Sequence, residues 1–276
     1  SNGSLISFGY FSSNSASSGS SNSLGVDNFS VNVITSSSSP SWYYRAASDH
    51  PAINVNVGSL HFNENVVVLP NPVLNQRTDL TFSAWFNTTS TSTQQTILSA
   101  AASGVTAGLD NSFTVDYRGT NTLRVVDTNR PYTFLNPITL NDGKWHQIVV
   151  VRDDQNDRIG MFVDGQSLGW QSVSLIALQV DGLVIGNEQD SVLGTYGPTE
   201  GFAGQLDEIT FWNSVRTQFQ IESDMNRSFV GYEPGLIAYY TLDNGSAQDI
   251  APASSSRTRY NGVLGDQNGV GNSVLP

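Results

Sequence analysis

The chain contains no cysteine. That excludes disulfides, thiolate-ligated metals and a cysteine nucleophile. Charge is scarce as well: Asp, Glu, Lys and Arg make up 13% of the 276 residues, about half the usual share. Basic residues are the scarcer kind. Twelve Lys and Arg stand against 24 Asp and Glu, giving a formal net charge of −12. Such acidity repels nucleic acid and anionic lipid surfaces, so no nucleic-acid partner is expected. No stretch is long and apolar enough to span a bilayer, and membrane insertion is not expected either. No signal-peptide pattern is present, so a secreted protein would be represented here by a mature or trimmed chain. The Ala, Leu, Glu and Lys that helices favour are also in short supply.

Ser, Thr, Asn and Gly fill the gap, with aromatics at 10%. This mix suits many short strands joined by turns. Residues 1–39 read as a separate segment: Leu5–Phe11 and Leu24–Val33 alternate apolar and polar around a Ser-rich loop, and a second Ser run at Ser36–Ser39 precedes Pro40. We expect a β-hairpin segment and linker there, either the end of another jelly-roll domain or an assembly element. Residues 40–276 carry the main domain. Its strand signals run through Leu60–Phe62, Val66–Leu69, Leu80–Phe86, Gln95–Leu98, Ser112–Tyr117, Thr122–Val126, Trp145–Arg152, Arg158–Val163, Leu183–Ile185, Gly204–Trp212 and Leu236–Leu242. Asp153–Asp157 and Asp164-Gly165 read as tight turns. Only Thr217–Asn226 reads as helix, with Phe219 and Met225 as its expected inward residues. The expected fold is all-β, a jelly-roll sandwich of two antiparallel sheets.

Several catalytic patterns are present in name only. Gly165-Gln-Ser-Leu-Gly169 fits the Gly-x-Ser-x-Gly nucleophile pattern, but that motif requires a strand–turn–helix elbow, and here it falls in a hairpin. Asp207 and Glu208 are adjacent, so on a regular strand they point to opposite faces and cannot act as a carboxylate pair. His146 lies within a strand and reads as structural. We therefore expect no enzyme, and no catalytic residues.

Three stretches together, Gly143-Lys-Trp-His146, Phe162-Val-Asp-Gly165 and Gly204-Gln-Leu-Asp-Glu-Ile-Thr-Phe-Trp212, resemble the laminin-G-like and pentraxin superfamily, whose fold is a concanavalin A-like jelly roll. The resemblance runs from about Leu60 to Leu242. Within it, Val184-Ile-Gly-Asn-Glu-Gln-Asp-Ser191 looks like the pentraxin calcium loop. Ten residues beyond Asp190, where pentraxins have a glutamine, stands Glu200. Asp110-Asn111 occupies the place of an earlier Asp-Asn pair. The resemblance implies a composite site for two Ca²⁺ built from Asp110, Asn111, Glu188, Gln189, Asp190 and Glu200, with Gln189 offering its backbone carbonyl. Calcium takes six to eight oxygen ligands. Four clustered carboxylates repel one another unless cations neutralise them, and open metal positions then accept an anionic oxygen. The plainer reading is that these are solvated loop carboxylates.

The chain departs from pentraxins where their intersheet disulfide lies. Trp85 and Ile148 fall near those positions, which implies apolar packing in place of the crosslink. About 55 N-terminal residues have no pentraxin counterpart. Gly235–Gly245 through Tyr260–Leu264 resembles the opening of a laminin-G-like module, so Leu236–Leu242 is expected as a strand beside Leu60–Phe62. The reading that follows is a calcium-dependent, lectin-like recognition or adhesion module at the cell surface or outside the cell. Its expected ligands are glycans or phosphate- or carboxylate-bearing groups, and its terminal strands would allow self-association. The alternative is a structural subunit of an extracellular fibre or array assembled by strand exchange. A polysaccharide-active enzyme comes last.

Overall fold

A computed structural model describes residues 59–270, apart from 64, 105–110, 120, 195, 198, 228, 252–258 and 267–268. The N-terminal segment 1–39, and Asp110 of the candidate site, lie outside the described residues. The strands are β1 (Leu60–Asn63), β2 (Asn65–Leu69), β3 (Leu80–Asn87), β4 (Gln95–Ala101), β5 (Asn111–Arg118), β6 (Thr122–Asp127), β7 (Arg130–Leu135), β8 (Trp145–Asp153), β9 (Arg158–Val163), β10 (Gln166–Ser172), β11 (Gly182–Ile185), β12 (Ala203–Trp212), β13 (Leu236–Tyr240), β14 (Val263–Asp266) and β15 (Gly269–Val270). Among the described residues one α-helix, α1 (Gln218–Asp224), joins them.

Two antiparallel sheets result. The first runs β1-β12-β3-β8-β9-β10, with β13 also paired to β12; the second runs β15-β14-β2-β11-β4-β5-β6-β7. The period-2 pattern explains why they pack together. In β3, Phe82, Ala84 and Phe86 enter the core; in β5, Phe113, Val115 and Tyr117 do; and in β11, Leu183 and Ile185 do. Alternate residues of each strand therefore share one apolar layer between the sheets.

The C-terminal segment closes the sandwich. β13 pairs with the Ile209–Trp212 half of β12 and β1 with the Ala203–Leu206 half, so the two lie end to end along one edge of β12. Leu236–Tyr240 is thus a core strand as expected, in line with β1 rather than hydrogen-bonded to it. β14 adds to the second sheet beside β2, with Val263 opposite Val68.

Three expectations fail for local reasons. Asp207 and Glu208 do not point to opposite faces: a bulge between Asp207 and Thr210, with Glu208 at φ +50°, inserts an extra residue. Leu206 and Ile209 enter the core on either side, so both carboxylates fall on the outer face. Phe219 is not inward. It is 78% exposed, and Ile221 is the buried residue of α1. Trp85 is buried but lies on the outer face of β3; Ala84 is the core residue opposite Ile148. Beside the apolar layer, a buried ion pair also ties the two sheets. Arg152 of β8 reaches Asp127 of β6 at 2.5 Å, and both side chains are fully enclosed. Its remaining donors go to the carbonyls of Arg77, Thr78 and Ile176.

Candidate metal centre

The loop after β11 carries most of the candidate ligands, and its path is set by one glycine. Gly186 has φ +96°, and a Cβ there would run into the Phe62 ring. The chain can therefore leave the sheet sharply at this point. Gly186 still donates to Ile97 O at 3.0 Å and accepts from Phe202 N at 2.8 Å, so both limbs of the loop are pinned to the sheet where they diverge.

Gln189 folds the loop back over the outer face. It is fully buried. Its Nε2 donates to Ser99 O at 2.9 Å, its Oε1 accepts from Leu193 N at 2.9 Å, and its backbone N–H reaches Ser99 Oγ at 3.3 Å. The side-chain amide is committed to the backbone, so Gln189 acts as the loop's anchor. Its neighbours Glu188 and Asp190 are held on either side of it. Asn187 caps the turn by accepting from Glu188 N at 2.8 Å.

Glu200 arrives from the far side of the loop. Thr96 N donates to Glu200 O at 2.9 Å, and Gly201 forms a bridge with Thr96. This segment thus takes over the place beside β4 that β11 has vacated. A Cβ at Gly197 would collide with the Glu200 carboxylate; glycine leaves room for that carboxylate to turn inward. One carboxylate oxygen from each of Glu188, Asp190 and Glu200 lies within 4.8 Å of the others. Glu188 is buried, Glu200 half-buried and Asp190 exposed. Three hard oxygen donors around one point, on a loop pinned by a buried amide, could hold a metal ion.

Asn111 lies further off, at the start of β5 opposite Ala101. Its Oδ1 accepts from Thr114 Oγ1 at 3.0 Å, and Thr114 pairs with Ser99, the residue that anchors Gln189. Asn111 is therefore connected to the loop across the same outer face.

That face carries a second charged group, which the sequence reading missed. Asp116 of β5 is fully enclosed and accepts from two arginines: Arg118 Nε at 2.9 Å on Oδ1, and Arg124 Nε at 2.8 Å and Nη2 at 2.5 Å on Oδ2. Burial pushes the Asp116 carboxyl up from its ordinary value, opposed by the hydrogen bonds and charges of Arg124 and Arg118. The sequence signal was the alternation of Asp116 and Arg118 with core residues along β5. It became meaningful only once the β5–β6 register put Arg124 opposite Asp116.

The other chemistry proves structural. Ser167 lies in β10, in the hairpin after β9, and its Oγ accepts from Gly169 N at 3.1 Å; the nucleophile elbow is absent. His146 is buried between Asp164, at 2.8 Å, and Asp142, at 3.2 Å. Burial works to lower its pKa, but the bonds and charges of Asp164 and then Asp142 outweigh it, and the net shift is upward. Glu208 accepts a hydrogen bond from the Tyr239 hydroxyl.

Several known proteins resemble this chain in sequence or in fold. Human neuronal pentraxin-2 is 30% identical over 99 residues, 33% of this chain and 22% of that protein. C-reactive protein 1.4 of Limulus polyphemus is 31% identical over 90 residues, covering 31% of this chain and 37% of that protein. The matched stretch is thus well under half the length of either relative. Among solved structures, a putative carbohydrate binding protein from Bacteroides ovatus superposes with a TM-score of 0.58 at 19% identity, covering 76% of this chain and 58% of that one. The heptameric SAP-like pentraxin of Limulus polyphemus gives 0.51 at 17% identity, over 76% and 93%. At these identities the superpositions establish the fold. The family described as the concanavalin A-like lectin/glucanases superfamily, of laminin-G type, matches residues 62–222, more than half of the chain, and the protein belongs to it.

Proposed function

We propose that this protein is a calcium-dependent, lectin-like recognition module of the extracellular space or cell surface, without enzymatic activity. The observation that carries this reading is the convergence of Glu188, Asp190 and Glu200, with carboxylate oxygens within 4.8 Å of one another. In so acidic a chain, three carboxylates at one point raise each other's energy unless a cation joins them. Asn111 and Asp110, the latter outside the described residues, would complete a second calcium position. The metal would supply open coordination sites for an anionic or hydroxyl oxygen of the ligand.

A neighbour described as a putative carbohydrate binding protein supports a glycan as that ligand, and the resemblance to pentraxins implies that a phosphate- or carboxylate-bearing group would also serve. Residues 1–39 would then form a separate hairpin segment, and residues 40–276 the jelly roll. The fibre-subunit alternative has less behind it, because β13 and β14 pair with strands of their own sandwich.

Calcium added at a hundredfold excess over its dissociation constant should stabilise the protein by about 2.7 kcal/mol, read as a rise in Tm. The E188Q and D190N variants should fold normally and lose that rise. An unmoved Tm with several millimolar calcium, together with no heat of binding by calorimetry, would refute the metal reading.

A further inference from the structure

The outer face of the second sheet holds a positive site a short way from the acidic cluster. Phe113, Val115 and Tyr117 of β5 and Leu123 and Val125 of β6 point into the core. Asp116, Arg118 and Arg124 must therefore point outward together. Two guanidinium groups share one carboxylate, so the group carries a net charge of +1. One arginine would suffice to neutralise Asp116, and the second is surplus. In a chain with twelve basic residues and a net charge of −12, two of the twelve thus meet on one carboxylate, and one positive charge is left over for an anion.

The guanidinium groups are fixed rather than free. Arg124 is held by two bonds to the fully enclosed Asp116. Arg118 is held by Asp116 on one side and by the buried Gln94, which accepts from its Nη2, on the other. Their side chains remain 21% and 35% exposed. Among the described residues, neither Nη1 has a partner. Two oriented, partly desolvated forks with spare donors match a planar carboxylate better than a point charge would.

The position matters as much as the charge. Thr96 of β4 pairs with Asp116 on one side and bridges Gly201 on the other. Strands lie about 4.8 Å apart, which puts Arg124 three steps, roughly 14 Å, from the Glu200 backbone. That is about the span of two or three linked sugars.

We propose that Arg118 and Arg124, set on Asp116, form an anion subsite that receives the carboxylate of an acidic sugar, so that the module selects uronic-acid-type glycans over neutral ones. The proposal rests on the recognition reading above in taking this face as the ligand's, but it does not depend on calcium. A ligand seated here would lie across β5 and β4, with its carboxylate on the arginines and its other end at the acidic loop.

The test uses an oligouronate trisaccharide and its carboxyl-reduced, neutral counterpart, titrated by calorimetry in calcium and in EDTA. The intact protein should bind the acidic sugar at least tenfold more tightly than the neutral one. R118Q should remove most of that preference while leaving calcium affinity within about twofold. Removing Arg124 alone takes both charge-assisted bonds from the buried Asp116 Oδ2, so the D116N/R124Q pair, which changes no net charge, provides the second variant and should lose the preference too. Equal affinity of the intact protein for both sugars overturns the proposal, as does a preference that survives both variants. The calcium reading stands apart: a preference that persists in EDTA and vanishes in R118Q supports the arginine site and removes the metal from it. Calcium binding with an unchanged preference in R118Q does the reverse.

Discussion

The molecule uses the same pair of side chains in two opposite ways. Arg152 and Asp127 are sealed between the sheets, both fully enclosed, and every other polar contact of Arg152 goes to a backbone carbonyl. Arg118 and Arg124 meet an equally enclosed Asp116, yet their own side chains reach solvent. The first group is closed: one cation, one anion, all donors used. The second is open, with one cation too many and donors left over. A buried carboxylate therefore does not reveal by itself whether it serves stability or binding; the count and exposure of its partners do.

Substitutions sharpen this contrast, beginning with the sealed pair. Arg152→Met leaves Asp127 charged and enclosed without its cation, with only the Thr128 hydroxyl at 3.3 Å, and should cost about 3–5 kcal/mol in urea unfolding. Replacing both, as D127L/R152M, should recover only part of that loss, because the carbonyls of Arg77, Thr78 and Ile176 still lack a donor. If the double variant is as stable as the wild type, the pair is not a clamp between the sheets.

At the open site the effects should be smaller and should separate stability from binding. Arg124→Gln should cost about 1.5–3 kcal/mol, since it removes both charge-assisted bonds to Asp116 Oδ2. Arg118→Gln, at the more exposed arginine, should cost less than about 1 kcal/mol. An Arg118 variant as damaging as the Arg152 variant would make the two sites alike and end the comparison.

The smallest effect concerns His146. Its folded pKa lies above the ordinary 6.5, so its pairing with Asp164 and Asp142 contributes fully below that value and is lost as pH rises through the folded pKa. Asp142, lowered despite burial by its bonds to Lys144 and His146, contributes above its ordinary 3.8 and loses its share as pH falls through the folded value. Stability measured from pH 6 to 9 should decline in the wild type relative to His146→Gln. Parallel profiles would show that the histidine is not charged in the fold.

Period-2 alternation made most of the sandwich legible. Arg158–Val163 matches β9 end to end, and Trp145–Arg152 and Leu80–Phe86 each fall one residue short of β8 and β3. β7 escaped because Pro131 interrupts its pattern; proline is tolerated there because β7 is an edge strand. The clustering of Glu188, Asp190 and Glu200 was visible only through the family resemblance, since nothing in their spacing shows that Gly186 and Gln189 fold the loop back. The Asp207–Glu208 bulge and the Asp116 cluster depend on cross-strand register, which a single strand's pattern does not contain.

The end-to-end seating of β1 and β13 along β12 also bears on how the chain assembles itself. β12 and β13 are near neighbours in sequence, so their pairing is a local event with little loop entropy to overcome. β1 must reach β12, and β14 must reach β2, across most of the described chain. The hairpin of β12 and β13 can therefore nucleate early, while the seam that closes each sheet forms last. Until it does, β2 and half of β12 present open edges to other chains, which makes rapid closure, rather than final stability, the step on which a good yield of folded chain depends.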